Sequence, residues 1–174
     1  MLRKIIYLAL SLTTIIYAAP NSKQNEQLNK IVLMDADSGY DLNVFGQYGG
    51  WVNRANFSPD GTKIVTTSLG KTAKIWDARN GNLLRTLSGH DLGVYDANFS
   101  PDGTKVVTAG SDGTAKIWDA NNGALLLTLI GHIAGVNRVN FSPDGTKAVT
   151  SSDDKTAKIW DANNGALLFT LSGH

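Results

Sequence analysis

Along most of this chain, apolar and polar residues alternate in runs of five or six, and each run ends in a turn signal. Val94 to Phe99 is one such run. The Ser100-Pro101-Asp102-Gly103 that follows reads as a type I turn, with proline presetting φ and glycine closing it. Lys105 to Ala109 reads as a second strand, and Ser111-Asp112-Gly113 as a hairpin turn. Ala115 to Trp118 makes a third strand, Asn121-Asn122-Gly123 a third turn, and Leu125 to Leu129 a fourth strand. No stretch offers ten residues of the 3.6-residue period that an amphipathic helix needs. The pattern predicts four short antiparallel strands joined by tight turns.

The same pattern recurs. Phe-Ser-Pro-Asp-Gly begins at Phe57, Phe99 and Phe141, 42 residues apart each time. Trp-Asp occurs at Trp76-Asp77, Trp118-Asp119 and Trp160-Asp161, and Gly-His at Gly89-His90, Gly131-His132 and Gly173-His174, on the same period. Residues 89–130 and 131–172 agree at 30 of 42 positions. A degenerate half unit precedes them, its Met34-Asp35-Ala36-Asp37-Ser38-Gly39 lying 84 residues before Trp118 to Gly123. A fixed period of this length means one supersecondary unit copied and stacked.

Gly-His, Phe-Ser-Pro-Asp-Gly, Ser-Asp-Gly-Thr and Trp-Asp in this order and spacing resemble the WD-repeat β-propeller family, over residues 31–174. The resemblance implies an all-β fold of four-stranded blades: a half blade at 31–46 and full blades at 47–88, 89–130 and 131–172. Three and a half blades would be an incomplete ring, since propellers close with about four to eight. The expectation is a fragment of a longer reading frame, or chains that associate to complete the ring. The resemblance also implies a buried hydrogen-bond chain in each blade. It would run through His90, Thr108, Asp112 and Trp118 in one blade and His132, Thr150, Asp154 and Trp160 in the next. Indole N–H only donates, hydroxyl does both and carboxylate accepts, so these types suit a relay of hydrogen bonds. The first full blade departs from it: Tyr48 stands at the histidine position and Gly70 at the aspartate position, leaving Thr66 and Trp76.

The first nineteen residues follow another logic. Arg3 and Lys4 precede an apolar run over residues 5–19, which exits at Ala18-Ala19. Fifteen helical residues would cover only about 22 Å, short of a ~30 Å hydrocarbon core, so the segment reads as a cleaved signal peptide. Residues 20–30 are polar and unpatterned, a linker. The protein is therefore expected to be exported, with no membrane span beyond that segment.

Composition narrows the function. Sixteen Lys and Arg against 15 Asp and Glu leave no basic stripe, which argues against nucleic acid as partner. The absence of cysteine excludes disulfides, thiolate zinc and cysteine nucleophiles. All three histidines occupy one repeat position, which fits a structural role and not catalysis; no catalytic, metal or cofactor site is expected. The Asn-Phe-Ser sequons at Asn56, Asn98 and Asn140 are explained by the repeated turn, without a sugar.

What remains is binding. The two most similar units differ chiefly at 91–97 against 133–139 and at 109–113 against 151–155. In the family these places form the top surface of the blades, where partners bind. The corresponding residues are Trp51, Asn53, Arg54, Leu69, Tyr95, Asp96, Ser111, Asn137, Arg138 and Asp153. Tyr, Trp and Arg are the types enriched where interfaces concentrate their energy. The expectation is a non-enzymatic scaffold that binds a protein or peptide; the alternative is a lectin or small-ligand binder stacking a sugar on Trp51 and Tyr95.

Overall fold

The computed structural model describes the backbone of Thr14–Pro20, Asn29–Asp35 and Asp41–Tyr48, and residues 52–173 with their side chains. Everything described is strand, turn or loop, with no helix among the described residues. The first three strands, β1 (Thr14–Pro20), β2 (Asn29–Asp35) and β3 (Asp41–Tyr48), form an antiparallel sheet in that order. β1 thus falls within the apolar segment expected to be removed, and cleavage after Ala19 would take most of it away. Pro20 and Asn29–Lys30, at the ends of the expected linker, lie in β1 and β2.

Three four-stranded antiparallel meanders follow, each in sequential order. Blade 1 comprises β4 (Val52–Phe57), β5 (Lys63–Ser68), β6 (Thr72–Asp77) and β7 (Leu83–Ser88). Blade 2 comprises β8 (Val94–Phe99), β9 (Lys105–Gly110), β10 (Thr114–Asp119) and β11 (Leu125–Ile130). Blade 3 comprises β12 (Val136–Phe141), β13 (Lys147–Ser152), β14 (Ala157–Asp161) and β15 (Leu167–Leu171). The fold is the all-β, unclosed stack of blades that the repeat predicts.

Turn chemistry fixes the local structure. After β8 the Ser100 hydroxyl donates to Asp102 at 2.5 Å and accepts the Lys105 N–H at 2.9 Å, while Gly103 takes φ +70°, where any Cβ would be strained. In each third strand the register slips by one residue just before the tryptophan.

Alternation along the strands then gives every blade two apolar faces. We call the face turned to the following blade trailing and the other leading. Val65, Ala73, Ile75 and Leu87 on the trailing face of blade 1 bury against Val94, Ala97, Phe99, Val106, Trp118 and Ala120 of blade 2. Blade 2 repeats this, setting Val107, Ile117 and Leu129 against Val139, Phe141 and Trp160 of blade 3. Fully burying one such side chain is worth roughly 1.5–3 kcal/mol, so blade stacking supplies most of the stability. A lone sheet could not bury both faces.

Candidate functional site

Two sets of polar side chains stand out, one inside the blades and one at their ends. Inside blade 2 a continuous relay runs from indole to carboxylate. Trp118 Nε1 donates to Thr108 Oγ1 at 2.9 Å, Thr108 Oγ1 lies 2.7 Å from His90 Nε2, and His90 Nδ1 lies 2.8 Å from Asp112 Oδ2. A neutral imidazole protonated on Nδ1 satisfies every link: Nδ1–H donates to the carboxylate and Nε2 accepts from the threonine hydroxyl. Burial lowers the His90 pKa from 6.5 and outweighs the pull of Asp112, which favours that neutral form. Burial would raise the Asp112 pKa, yet hydrogen bonds from Thr114, His90 and the Asp91 N–H hold it below 3.8. Blade 3 copies the arrangement: Trp160 to Thr150 at 2.9 Å, Thr150 to His132 at 2.8 Å, and His132 to Asp154 at 2.7 Å.

All eight side chains of the two expected chains therefore meet as the family resemblance implies. In blade 1 the Trp76 Nε1 to Thr66 Oγ1 bond is present at 2.9 Å, while the Gly70 N–H is taken by Ser68 Oγ at 3.0 Å. Thr114 and Thr156 join the relay without having been singled out, each donating to its aspartate at 2.7 and 2.6 Å. Their signal was the threonine two residues after each of those aspartates. The relay is enclosed and saturated: each carboxylate accepts a backbone N–H on both oxygens, with the threonine hydroxyl on Oδ1 and the imidazole on Oδ2. It ties the loop entering a blade to that blade's second hairpin turn.

The second set lies at the blade ends. Asn53, Tyr95, Asn137 and Arg138 line an open depression of about 490 Å³. Three of them are held in place: Asn53 Nδ2 donates to the Val94 carbonyl at 2.9 Å, Tyr95 Oη to Ser111 Oγ at 3.3 Å, and Asn137 Nδ2 to Asp153 Oδ1 at 2.5 Å. Arg138 is exposed and, among the described residues, donates to the neighbouring Asn137 carbonyl at 3.2 Å. Leu69 is exposed in the second turn of blade 1 and leans over Gly93 of blade 2. Trp51 lies outside the described residues.

Asp96 differs from the rest of that group. It is 2% exposed, accepts the Val139 N–H from blade 3 at 3.2 Å, and makes an ion contact with Arg54 Nε of blade 1 at 3.2 Å without hydrogen-bond geometry. Burial raises its pKa against the pull of those partners. Its carboxylate is spent on linking the first strands of three blades, and Arg54 is drawn in with it. Two exposed apolar side chains in the loops entering the blades, Leu92 and Ile133, belong beside this set and carried no sequence signal beyond their place in a variable loop. Among the described residues no three His, Asp or Glu gather as a metal site would require, and no helix is long and apolar enough to cross a membrane.

Comparison with known proteins agrees with the architecture. The model of the "WD domain, G-beta repeat" family matches residues 39–77, 81–119 and 123–161, together about two thirds of the chain. Human WD repeat-containing protein 38 is 44% identical over 48 residues, covering 28% of this chain and 15% of that protein. Pre-mRNA-splicing factor PRP46 of Debaryomyces hansenii is 34% identical over 86 residues, covering 41% of this chain and 21% of that protein. The chain thus aligns with only a small part of these longer relatives. The period, the stacked blades, the polar relay and the family match all agree: this chain belongs to the WD-repeat family.

Proposed function

We propose that the protein is an exported, non-catalytic scaffold that binds a protein or peptide across the ends of its blades. The observation supporting this most directly is the depression lined by Asn53, Tyr95, Asn137 and Arg138. Its residues include positions at which the two most similar units diverge, Tyr95 against Asn137 and Asp96 against Arg138, while blade 1 carries the same Asn53-Arg54 pair as blade 3. A held aromatic ring beside an exposed guanidinium is the pairing that dominates many interfaces. Leu69, Leu92 and Ile133, all exposed in loops and turns of the same kind, add apolar area that a protein partner would cover and a nucleic acid would not. The near-neutral charge argues the same way.

The test is affinity capture of the tagged protein from its own source. One partner is expected in stoichiometric amount, lost with combined Tyr95→Ala and Arg138→Ala while the melting temperature stays. Retention of the same partner by that variant would overturn the reading. Binding to a glycan array instead would favour the sugar alternative, which has one described aromatic side chain, Tyr95, in support. Export rests on the N-terminal sequence alone; a mature protein beginning near Pro20 by N-terminal sequencing is the expected outcome.

A further inference from the structure

The outer strands of blades 1 and 2, with the loops that leave them, are nearly the same sequence, and their differences run one way. Residues 83–91 and 125–133 differ at three positions of nine, where Arg85, Ser88 and Asp91 give way to Leu127, Ile130 and Ile133. Packing explains the first change, because Leu127 joins the core between blades 2 and 3. It does not explain the others. Ile130 is 75% and Ile133 93% exposed, and Ser88 and Asp91 are exposed at the same places. Blade 2 has a blade packed on each face, so its outer edge is no end of the stack.

β7 and β11 are both edge strands, each hydrogen-bonded to a strand on one side only. The edge of β7 is guarded. Arg85 Nη1 donates to the Leu84 carbonyl at 2.5 Å and its Nε to the Asn121 carbonyl at 2.7 Å, which lays a cation along the strand. Charged side chains on an open edge are how native sheets avoid pairing with other chains. β11 has no such guard. No Lys, Arg, Asp or Glu occurs over residues 120–137, and Leu125 and Leu126 are each 46% exposed beside the open edge. Residues 124–130 are apolar except for Thr128, with no charge, Gly or Pro, the composition that favours strand-to-strand association.

We propose that β11 pairs antiparallel with β11 of a second copy of this chain, joining their two second blades into one eight-stranded sheet. This goes beyond the blade-end reading and does not depend on it. The strand's own pattern chooses both the occupant and the register. With Thr128 opposite Thr128 of the second copy, Leu127 meets Leu129 and Leu126 meets Ile130, so apolar side chains cover one another on either side of the threonines. The slip opposite Trp118 falls before Leu127, which leaves Leu127 to Ile130 in even register around that centre. No charge on either strand opposes the contact.

Sedimentation velocity on the full chain across a concentration series is expected to show a dimer of twice 18.6 kDa. Ile130→Ser, which installs the residue that β7 carries there, is expected to raise the dissociation constant about tenfold or more, because each copy loses a buried isoleucine. Melting of the dilute monomer is expected to stay the same, since the side chain is exposed in it. The protein has no cysteine, so Thr128→Cys reads the register directly. Opposed Cα atoms of an antiparallel pair lie about 4.5–5.5 Å apart, within disulfide reach. Mild oxidation is expected to link Thr128→Cys into covalent dimers and to leave Thr86→Cys, at the same place on the guarded edge, as monomer. A chain that is monomeric at every concentration overturns the proposal. So does a dimer indifferent to Ile130→Ser, or cross-linking no faster at residue 128 than at residue 86.

Discussion

Blades 1 and 2 share strand lengths, turn chemistry and the Trp–Thr bond at 2.9 Å, and they differ in what lies beyond that bond. In blade 2 the relay continues through His90 to Asp112, whose carboxylate also takes the Asp91 and Thr114 N–H groups. In blade 1 the second turn is closed by Ser68 Oγ on the Gly70 N–H, a bond between residues two apart. The sheet is the same in both cases. The relay is therefore not what makes a blade; it fastens the entering loop to a sheet that turn chemistry and apolar alternation already specify. A longer polar chain also has more to lose, because each member is enclosed and depends on the next.

Removing the carboxylate is the strongest way to break that contrast. Asp112→Ala strands the His90 Nδ1–H, which the fold buries, and frees two backbone N–H groups. A loss of about 2 kcal/mol, read as a drop in urea midpoint and melting temperature, is expected from an orphaned buried donor. Asp154→Ala is expected to cost about as much, because the His132–Asp154 pair is as enclosed as its counterpart in blade 2. Lys71→Ala, at the matching turn of blade 1, is expected to change almost nothing. Equal shifts for all three would remove the distinction between the blades.

Acid should separate the blades as well. The His90 pKa is lowered by burial, so the unfolded chain takes up its proton first. The stabilisation from neutral His90 is complete above pH 6.5 and declines as pH falls below it. The depressed pKa of Asp112 adds a second loss only below pH 3.8. Hydrogen exchange followed from pH 7 to 5 is expected to show blade 2 loosening and blade 1, which has no histidine, holding its protection. A smaller effect comes from backbone strain. Lys71 and Lys155 adopt φ +69° and +66° at the position where blade 2 has Gly113 at +80°. Lys71→Gly is expected to stabilise by about 1 kcal/mol, measured by denaturant titration, whereas alanine keeps the strained conformation.

Much of this was legible along the chain. The twelve strands of the three blades and the Pro-Asp-Gly turns follow from local turn chemistry and a strict 42-residue period, and the eight relay residues from the family resemblance that the repeated motifs carry. Where that local signal ended, so did legibility. Asp96 sits at a variable position and looks like a binding residue, yet it is buried because Arg54 and the Val139 N–H come from blades 42 residues away on either side. Thr114 reads as part of a turn until its hydroxyl is seen on Asp112. The pairing of Thr14–Pro20 with Asn29–Asp35 joins a segment whose composition points to export with one that runs from the end of the linker into the half blade.

Val107 and Val149 mark the boundary most plainly. They are the same residue in the same strand of consecutive units, and the chain by itself determined that both project from the trailing face of a sheet. Only the assembled blades decided that one is sealed under Phe141 and Trp160 while the other meets solvent. Strand and turn are set by neighbours within a few residues. Burial is set by whatever surface arrives opposite, and a repeating sequence writes the same side chain whether or not that surface is there.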